Sequence, residues 1–233
     1  MSETAKSRKA ALLVHLRRSI ITQALAPGAD LDEALLAEEF ALSRTPLREA
    51  LRDLAGDGYV DLRENRGARV SDMSHTTLRG FFQAAPMIYG AVLRLAAQNA
   101  RPLQIAALKD AQLQFRAALR GGDIAARALA NNRFHEVTGE MADNIYLLPS
   151  FRRLLIDHAR ISMTFFQPRD AETAQKLDAA SQQHEAIIVA IEAGDEAAAA
   201  QLAEDHWNLS RDRIAQFVMP TALEAPLGQI SPT

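Results

Sequence analysis

The chain has 233 residues, of which 48% are hydrophobic and 24% are charged. This composition supplies a hydrophobic core and excludes a disordered or low-complexity chain. The absence of cysteine excludes disulfide bonds, thiol catalysis and cysteine-ligated metal sites, which leaves His, Asp, Glu and Asn as the available metal ligands. The net charge of −3 lacks the basic excess that nucleic-acid-binding proteins usually carry. Any nucleic-acid function must therefore depend on how a few basic residues are placed.

Two segments bear on the cellular location. The uncharged stretch 80–93 spans 14 residues, whereas a membrane-spanning helix needs about 20 apolar residues. The N-terminal segment 1–10 lacks the apolar core of a secretory signal peptide. We therefore predict no membrane span, no membrane partner and a cytoplasmic location.

Residues 1–72 predict a small domain of three helices followed by a hairpin. Apolar residues recur every three to four positions, as in amphipathic helices, in three segments: about 7–24, 31–40 and 44–55. Two short β-like runs, 59–62 and 68–70, are separated by a polar turn, which is the pattern of a β-hairpin. The predicted order is helix, helix, helix, hairpin.

Residues 73–219 predict an all-helical bundle. This segment is rich in Ala and Leu, and turn residues near positions 121–123, 149, 168 and 194 divide it into about six helices. Pro86 falls within an otherwise helical stretch, where we expect a kink or a break because proline has no N–H to donate. Residues 220–233 show no periodicity and are expected to form a flexible tail.

The third predicted helix carries a row of arginines beside a row of leucines. Arg44, Arg48 and Arg52 recur every four residues, so they project from one side of the helix. A short turn, 41–43, joins this helix to the second one, as in a helix-turn-helix whose second helix enters the major groove of DNA. Arginine can bind guanine through two hydrogen bonds or clamp a phosphate. The alternative is that the three arginines form a solvated helix face.

A set of short motifs runs through residues 6–70: Pro27-Gly28, Leu35-Leu36-Ala37, Ser43-Arg44-Thr45-Pro46-Leu47-Arg48-Glu49-Ala50-Leu51, Gly58-Tyr59-Val60 and Arg66-Gly67-Ala68 with Val70. Together they resemble the winged helix-turn-helix of the GntR family of bacterial transcriptional regulators. The resemblance implies that this domain binds a double-stranded DNA operator through Arg44 and Arg48, with Thr45 on the DNA backbone. It also implies that the wing tip reaches the minor groove with three residues: Asn65, Arg66 and Gly67.

Three histidines and one asparagine are spaced so that they can meet inside the bundle. Asn131 and His135 are four residues apart and face the same way on one helix. His184 precedes Gly194 by ten residues and His206 follows it by twelve, so on an antiparallel helix pair they stand roughly 15 and 18 Å from the turn. Three imidazoles and an amide oxygen suit a divalent metal. The alternative is that each histidine is an isolated core or surface residue.

The run 184–195, together with Phe134-His135 and Asp205-His206, resembles the FCD effector domain of the FadR branch of the GntR family, over residues 76–217. That domain pairs an Asp-x-x-x-His motif with two later histidines, and Asn131 replaces the Asp in this chain. The resemblance implies a divalent metal, Zn or Ni, held by four residues: Asn131, His135, His184 and His206. It also implies a small carboxylate effector, whose far end is neutralised by an arginine from three candidates: Arg94, Arg153 and Arg160.

These resemblances predict a ligand-responsive, DNA-binding repressor that acts as a homodimer. A dimer is expected because one short recognition helix makes too few contacts for specificity and two-fold symmetry supplies a second half-site. The predicted fold is mainly α, with an N-terminal winged helix-turn-helix and a C-terminal helical bundle. No enzyme activity is expected, because no acid stands beside the histidines in a His-Glu-x-x-His arrangement. Two alternatives remain: a metal-dependent enzyme that uses the three histidines, and a metal-free dimerisation module.

Overall fold

The computed structural model describes residues 3–64, 66–165 and 171–218. Its N-terminal part contains three helices and one hairpin: α1 (Glu3–Ile21), α2 (Glu33–Glu39), α3 (Arg44–Asp57), β1 (Val60–Arg63) and β2 (Gly67–Val70). This order is the winged helix-turn-helix that the sequence predicted. The core of this part is formed mainly by leucines of α1 and α3 together with Val60, Ala68 and Val70 of the hairpin.

The turn between α2 and α3 fixes the angle at which the second of these helices leaves the first. Asp32 caps α2, because its carboxylate accepts hydrogen bonds from the backbone N–H groups of Ala34 and Leu35. Ala41 adopts a left-handed φ of 46°, within the four-residue connection 40–43 between the two helices. At the other end of α3, Gly58 takes a φ of 88°, a conformation that glycine adopts without steric cost. The chain then enters the hairpin directly.

The wing is a two-stranded antiparallel sheet to which a third segment is attached. Val60 pairs with Val70 and Arg63 with Gly67. The chain before α2 lies along β2, where the N–H of Leu31 donates to the carbonyl of Ala68 at 2.9 Å. This third segment removes the unpaired edge of β2 and fixes the wing to the body of the domain.

The C-terminal part is a bundle in which six helices are described: α4 (His75–Asn99), α5 (Pro102–Gly121), α6 (Ile124–Met141), α7 (Leu147–Phe165), α8 (Ala171–Glu192) and α9 (Glu196–Val218). The predicted bundle of about six helices is thereby confirmed. Its core is a second cluster of buried apolar side chains, separate from that of the winged part. Among the described residues, no helix has the length and apolar content that crossing a membrane requires.

The structure confirms only some of the positions at which the helices of the bundle were predicted to end or break. Helix α4 continues through Pro86 without a break, because the flanking Ala85 and Tyr89 are buried in the core and their packing offsets one missing hydrogen bond. Pro149 does not separate two helices, since α7 begins at Leu147 and its first turn tolerates a residue without an N–H. Pro168 and the predicted tail 220–233 lie outside the described residues.

A buried arginine joins the bundle to the winged part. Arg160 of α7 is fully buried and forms an ion pair with Asp157 one turn earlier. Its guanidinium also donates to the carbonyl of Ser71 at 2.6 Å and to that of Asp72 at 3.3 Å. From the winged part, the side-chain amide of Gln23 donates to the backbone carbonyl of Arg160 at 2.7 Å. Helix α7 is therefore tied to the segment that links the hairpin to α4.

Candidate functional site

Helix α3 separates an apolar side from a basic side. Leu47, Leu51 and Leu54 are buried against the rest of the winged part, which holds the helix in place. Arg44 and Arg48 project into solvent from the opposite side. Thr45 and Arg52 are also exposed. The helix thus presents a cationic, hydrogen-bonding surface at its N-terminal end, where the free backbone N–H groups favour a phosphate.

The wing stands next to this surface. Its exposed Arg66 lines one groove together with Arg48 and Arg52 of α3. Glu33 borders the same groove and lies 3.9 Å from Arg48. Gly67 takes a left-handed φ of 74°, and a Cβ at this position would lie 2.9 Å from a carboxylate oxygen of Glu33. The predicted contact residue Asn65 lies outside the described residues.

Two other arginines of the wing serve the fold. Arg63 pairs with Asp30, and Arg69 donates to the backbone carbonyl of Gly28. Both contacts join the hairpin to the segment that precedes α2. The arginines of α3 and the wing tip that remain exposed are Arg44, Arg48, Arg52 and Arg66.

In the bundle, three helices bring three histidines together. His135 of α6, His184 of α8 and His206 of α9 each offer a ring nitrogen, and these nitrogens lie within 4.8 Å of one another. His135 and His184 are buried and His206 is half-buried. We refer to this group as the three-His cluster. The spacing argument from the sequence is confirmed for these residues, since the turn at Gly194 places His184 and His206 side by side.

The unsatisfied atoms of the three-His cluster fit a metal ion. The Nε2 atoms of His135 and His184 are buried and have no hydrogen-bond partner among the described residues. An unpaired buried nitrogen lone pair costs free energy, which a coordinated cation would offset. Three imidazoles are also a donor set that zinc and nickel accept. The residues present are therefore suited to a divalent metal.

Glutamine side chains orient two of these rings. The side-chain N–H of Gln112 donates to the carbonyl of Ser181 at 3.0 Å, so its oxygen is the atom that faces Nδ1 of His184, also at 3.0 Å. This arrangement places the His184 proton on Nδ1 and leaves Nε2 as a lone pair. Gln183 contacts Nδ1 of His206 in the same way, at 2.9 Å. The ring of Phe134 stacks on His184 with a centroid distance of 3.8 Å, which holds that ring in place.

Burial keeps these imidazoles neutral. It lowers the pKa of His206 to about 3 and lowers the pKa values of His135 and His184 well below the usual value for histidine. The charged form is disfavoured because it would lose its hydration inside the bundle. At neutral pH the three rings are in the uncharged form that binds metal ions.

A cavity of about 70 Å³ opens beside the cluster. Asn131, the residue at the position of the family aspartate, lines this cavity together with His135 and His206. Most of the other lining residues are apolar. Arg127 of α6 and Lys176 of α8 also line the cavity, and its described lining contains no Asp or Glu. The cavity is therefore small and largely apolar, with two basic residues in its lining, of which Lys176 forms an ion pair with Glu172.

The structure places the three candidate effector arginines away from this cavity. Arg94 points outward from α4 into a surface groove beside Met87. Arg153 lies against Gly58 at the contact with the winged part, and Arg160 binds the linker. Helical periodicity gives the spacing of these residues but not the rotation of each helix about its axis. The sequence therefore could not show that Arg127 lines the cavity and that these three arginines do not.

The spacing of His158 excludes it from the predicted ligand set, and the sequence left open whether it lies next to that set or at the surface. His158 lines the cavity, and its ring centroid lies 5.0 Å from that of His135. Its Nδ1 is 2.7 Å from the hydroxyl group of Tyr89. Burial lowers the pKa of His158 to about 4. The available signal was its place on one helix face with Leu154 and Ile161, both of which are buried.

Comparisons with known proteins agree with both halves of this description. The profile of the bacterial regulatory proteins of the gntR family matches residues 9–70, and the profile of the FCD domain matches residues 81–209. A probable D-xylose utilization operon transcriptional repressor from Paenarthrobacter nicotinovorans is 30% identical over 168 residues, which cover 72% of this chain and 71% of that protein. The HTH-type transcriptional repressor RspR of Escherichia coli K12 is 31% identical over 128 residues, which cover 55% of this chain and 56% of RspR.

Solved structures share the fold. McbR/YncC of E. coli superimposes with a TM-score of 0.72 at 19% identity, covering 89% of this chain and 95% of that one. The crystal structure of a putative GntR transcriptional regulator from Rhodococcus sp. RHA1 gives a TM-score of 0.69 at 18% identity, covering 90% and 98%. Both similarities extend across the winged part and the helical bundle.

Proposed function

The chain belongs to the gntR family of bacterial regulatory proteins and carries its FCD domain, and we propose that this transcriptional regulator is a repressor controlled by a small organic acid. Members of the family and the relatives described above are transcriptional regulators, not enzymes. The proposed division is a DNA-binding domain at 1–72 and an effector-binding, dimerising domain at 73–219. One observation carries the effector half of the proposal: the three-His cluster contains two buried ring nitrogens that form no hydrogen bond with any described residue.

For operator recognition, we assign base and phosphate contacts to Arg44 and Arg48, and a backbone contact to Thr45. All three are exposed at the N-terminal end of α3, which is the part of a recognition helix that reaches base edges. Asn65, Arg66 and Gly67 of the wing are assigned to the minor groove. A homodimer supplies the second half-site, because one such helix makes too few contacts for a specific complex.

For effector binding, we assign His135, His184 and His206 as ligands of a divalent metal, with Asn131 as the fourth. Zinc or nickel is favoured by the three imidazoles. When bound, the metal supplies a Lewis-acidic centre that attracts an anionic oxygen ligand. The protein contributes oriented rings, through Gln112 at His184 and Gln183 at His206, and a small, largely apolar cavity beside them.

The charge of the cavity supports a carboxylate as the effector. Asn131 is neutral where the family has an aspartate, so a bound divalent ion keeps its full positive charge. Two basic residues, Arg127 and Lys176, also line the cavity, and Lys176 forms an ion pair with Glu172 at 2.8 Å. An anion that enters this cavity would offset the charge of the ion, and the apolar remainder of the wall limits the ligand to a small organic acid.

A screen of small organic acids by thermal shift, with and without added zinc, tests this function. An acid that raises the melting temperature only when zinc is present should also change the affinity for operator DNA in a gel-shift titration. The same acid should be recovered unchanged after incubation, since an enzyme would consume it. Stabilisation by no acid, together with no stoichiometric metal in the protein and no loss of metal in His184→Ala, would leave the metal-free dimerisation module as the function of the bundle.

A further inference from the structure

A hydrogen-bonded pair outside the three-His cluster borders the same cavity. His158 of α7 and Tyr89 of α4 both line it, and their Nδ1 and hydroxyl oxygen are 2.7 Å apart. Both rings pack against His135 of the cluster: Tyr89 edge-on with a centroid distance of 5.5 Å, and His158 tilted by 47° with a centroid distance of 5.0 Å. The nitrogens of His158 are not among those that meet at the cluster. His158 is therefore placed beside the metal ligands without being one of them.

The hydrogen bond determines which ring nitrogen of His158 carries the proton. Tyr89 is buried, and Nδ1 of His158 is the acceptor that lies next to its hydroxyl group among the described residues. A buried hydroxyl group needs an acceptor for its proton, so the Tyr89 O–H donates to Nδ1. The proton of the neutral imidazole then resides on Nε2. No hydrogen bond from Nε2 to the protein occurs among the described residues, and the ring borders the cavity.

We propose that His158 is an effector-contacting residue that donates a hydrogen bond from Nε2 to an oxygen of the anion held at the three-His cluster, with Tyr89 as its positioning residue. This inference rests on the effector site proposed above and adds a specificity element to it. The cluster offers lone pairs, which bind a cation, whereas His158 offers a fixed N–H donor at the edge of the cavity. A ligand that fits both must be an oxygen anion with a second acceptor atom.

This arrangement discriminates between classes of ligand. A carboxylate has two oxygens, so one can face the cation site while the other accepts from His158. Free imidazole binds metal ions through a single lone pair and carries an N–H on its other nitrogen, so it offers His158 no acceptor. His158 should therefore increase the affinity for carboxylates and leave the affinity for imidazole unchanged.

Cobalt(II)-loaded protein provides the test, because the visible absorption of the ion reports ligand binding directly. Acetate and imidazole serve as the two probes, and the metal content of each sample is measured first. His158→Phe should weaken acetate binding about tenfold or more, the loss expected for one hydrogen bond to a charged group. The same variant should retain cobalt and bind imidazole as tightly as the wild type. His75→Phe, at an exposed position outside the cavity, is the matched control.

Two further variants keep the test decisive if His158→Phe does not fold. His158→Gln keeps a side-chain N–H and should recover part of the acetate affinity. Tyr89→Phe removes only the hydroxyl group that orients the proton, and should weaken acetate binding by less than His158→Phe does. Unchanged acetate affinity in a folded, cobalt-loaded His158→Phe or Tyr89→Phe protein would overturn the inference while leaving the metal site intact. Wild-type protein that retains no cobalt would instead remove the proposed metal site, and this inference with it.

Discussion

His158 and Arg160 lie two residues apart on α7 and contact opposite functional parts of the molecule. The His158 ring borders the cavity and accepts a hydrogen bond from Tyr89. The Arg160 side chain donates to the carbonyls of Ser71 and Asp72, in the segment that leads from the wing to α4. A rotation or shift of α7 caused by a ligand in the cavity would therefore be transmitted to the linker of the DNA-binding domain.

The Arg160 ion pair should be a main source of stability at this junction. Arg160→Met leaves the buried carboxylate of Asp157 without its partner and two linker carbonyls without a donor, so we expect a loss of about 3–5 kcal/mol in the free energy of unfolding. Chemical denaturation measures this loss. The double variant Arg160→Met/Asp157→Leu removes both charges and should recover part of the stability. A loss below about 1 kcal/mol in the single variant would show that the pair is not structural.

Operator binding should depend on two arginines of α3. Arg44→Ala and Arg48→Ala should each lose operator-specific affinity, by about 1–3 kcal/mol for every guanine contact removed. Because both side chains are exposed, the fold and the melting temperature should not change. An operator selected from random DNA by the wild-type protein provides the gel-shift probe. Arg101→Ala, an exposed arginine of the bundle, is the control, and undiminished operator affinity in both α3 variants would refute the assignment.

Asn131→Asp restores the carboxylate found in related domains and should change two affinities in opposite directions. The added charge should strengthen binding of zinc by about tenfold, since charged ligands bind a cation more strongly than neutral ones. It should weaken binding of a carboxylate, because the cavity loses one unit of positive charge. Competition with a chromophoric chelator measures the first effect and ligand titration measures the second. Equal zinc affinity in both proteins would place Asn131 outside the metal site.

The metal-free protein should become less stable as the pH falls from neutrality. Burial lowers the pKa of His158 to about 4 and that of His206 to about 3, whereas an unfolded histidine has a pKa of about 6.5. Below pH 6.5 the unfolded chain therefore binds protons that the folded chain does not. Each such histidine lowers the free energy of unfolding by up to about 1.4 kcal/mol per pH unit until the pH approaches its folded-state pKa.

Chelator-treated protein, unfolded with urea at pH values between 6.5 and 5.5, tests this dependence above the range in which carboxylates titrate. His158→Phe should show a smaller slope than the wild type. A wild-type free energy of unfolding that is constant over this range would contradict the burial of neutral imidazoles.

Local patterns in the sequence were sufficient to predict the helices, the hairpin and the three-His cluster. The three-to-four spacing of leucines predicts α1 and α3. The turn at Gly194 places His184 and His206 at similar heights, because they lie ten and twelve residues from it on helices that rise by the same amount per residue. The motif around Arg44 and Arg48 also predicts the recognition helix, because all of its residues lie on one helix.

Features that depend on several helices could not be predicted in this way. The rotation of α4 and α7 about their axes decides that Arg94 faces outward and that Arg160 faces the linker, and it results from the packing of the entire core. The same packing brings His158 to the cavity and keeps α4 helical through Pro86. Long-range partners such as Gln112 and His184, which are 72 residues apart, have no signature in the spacing of either residue.

Measurement of bound metal decides whether the three-His cluster is a metal site. Wild-type protein, loaded with zinc or nickel and then desalted, should retain about one ion per chain by elemental analysis. His184→Ala should lose that ion while the exposed His75→Ala keeps it, because His184 contributes a buried nitrogen that no described residue satisfies. Wild-type protein without stoichiometric metal, or a His184→Ala variant that retains the metal fully, would show that the three-His cluster is not a metal site.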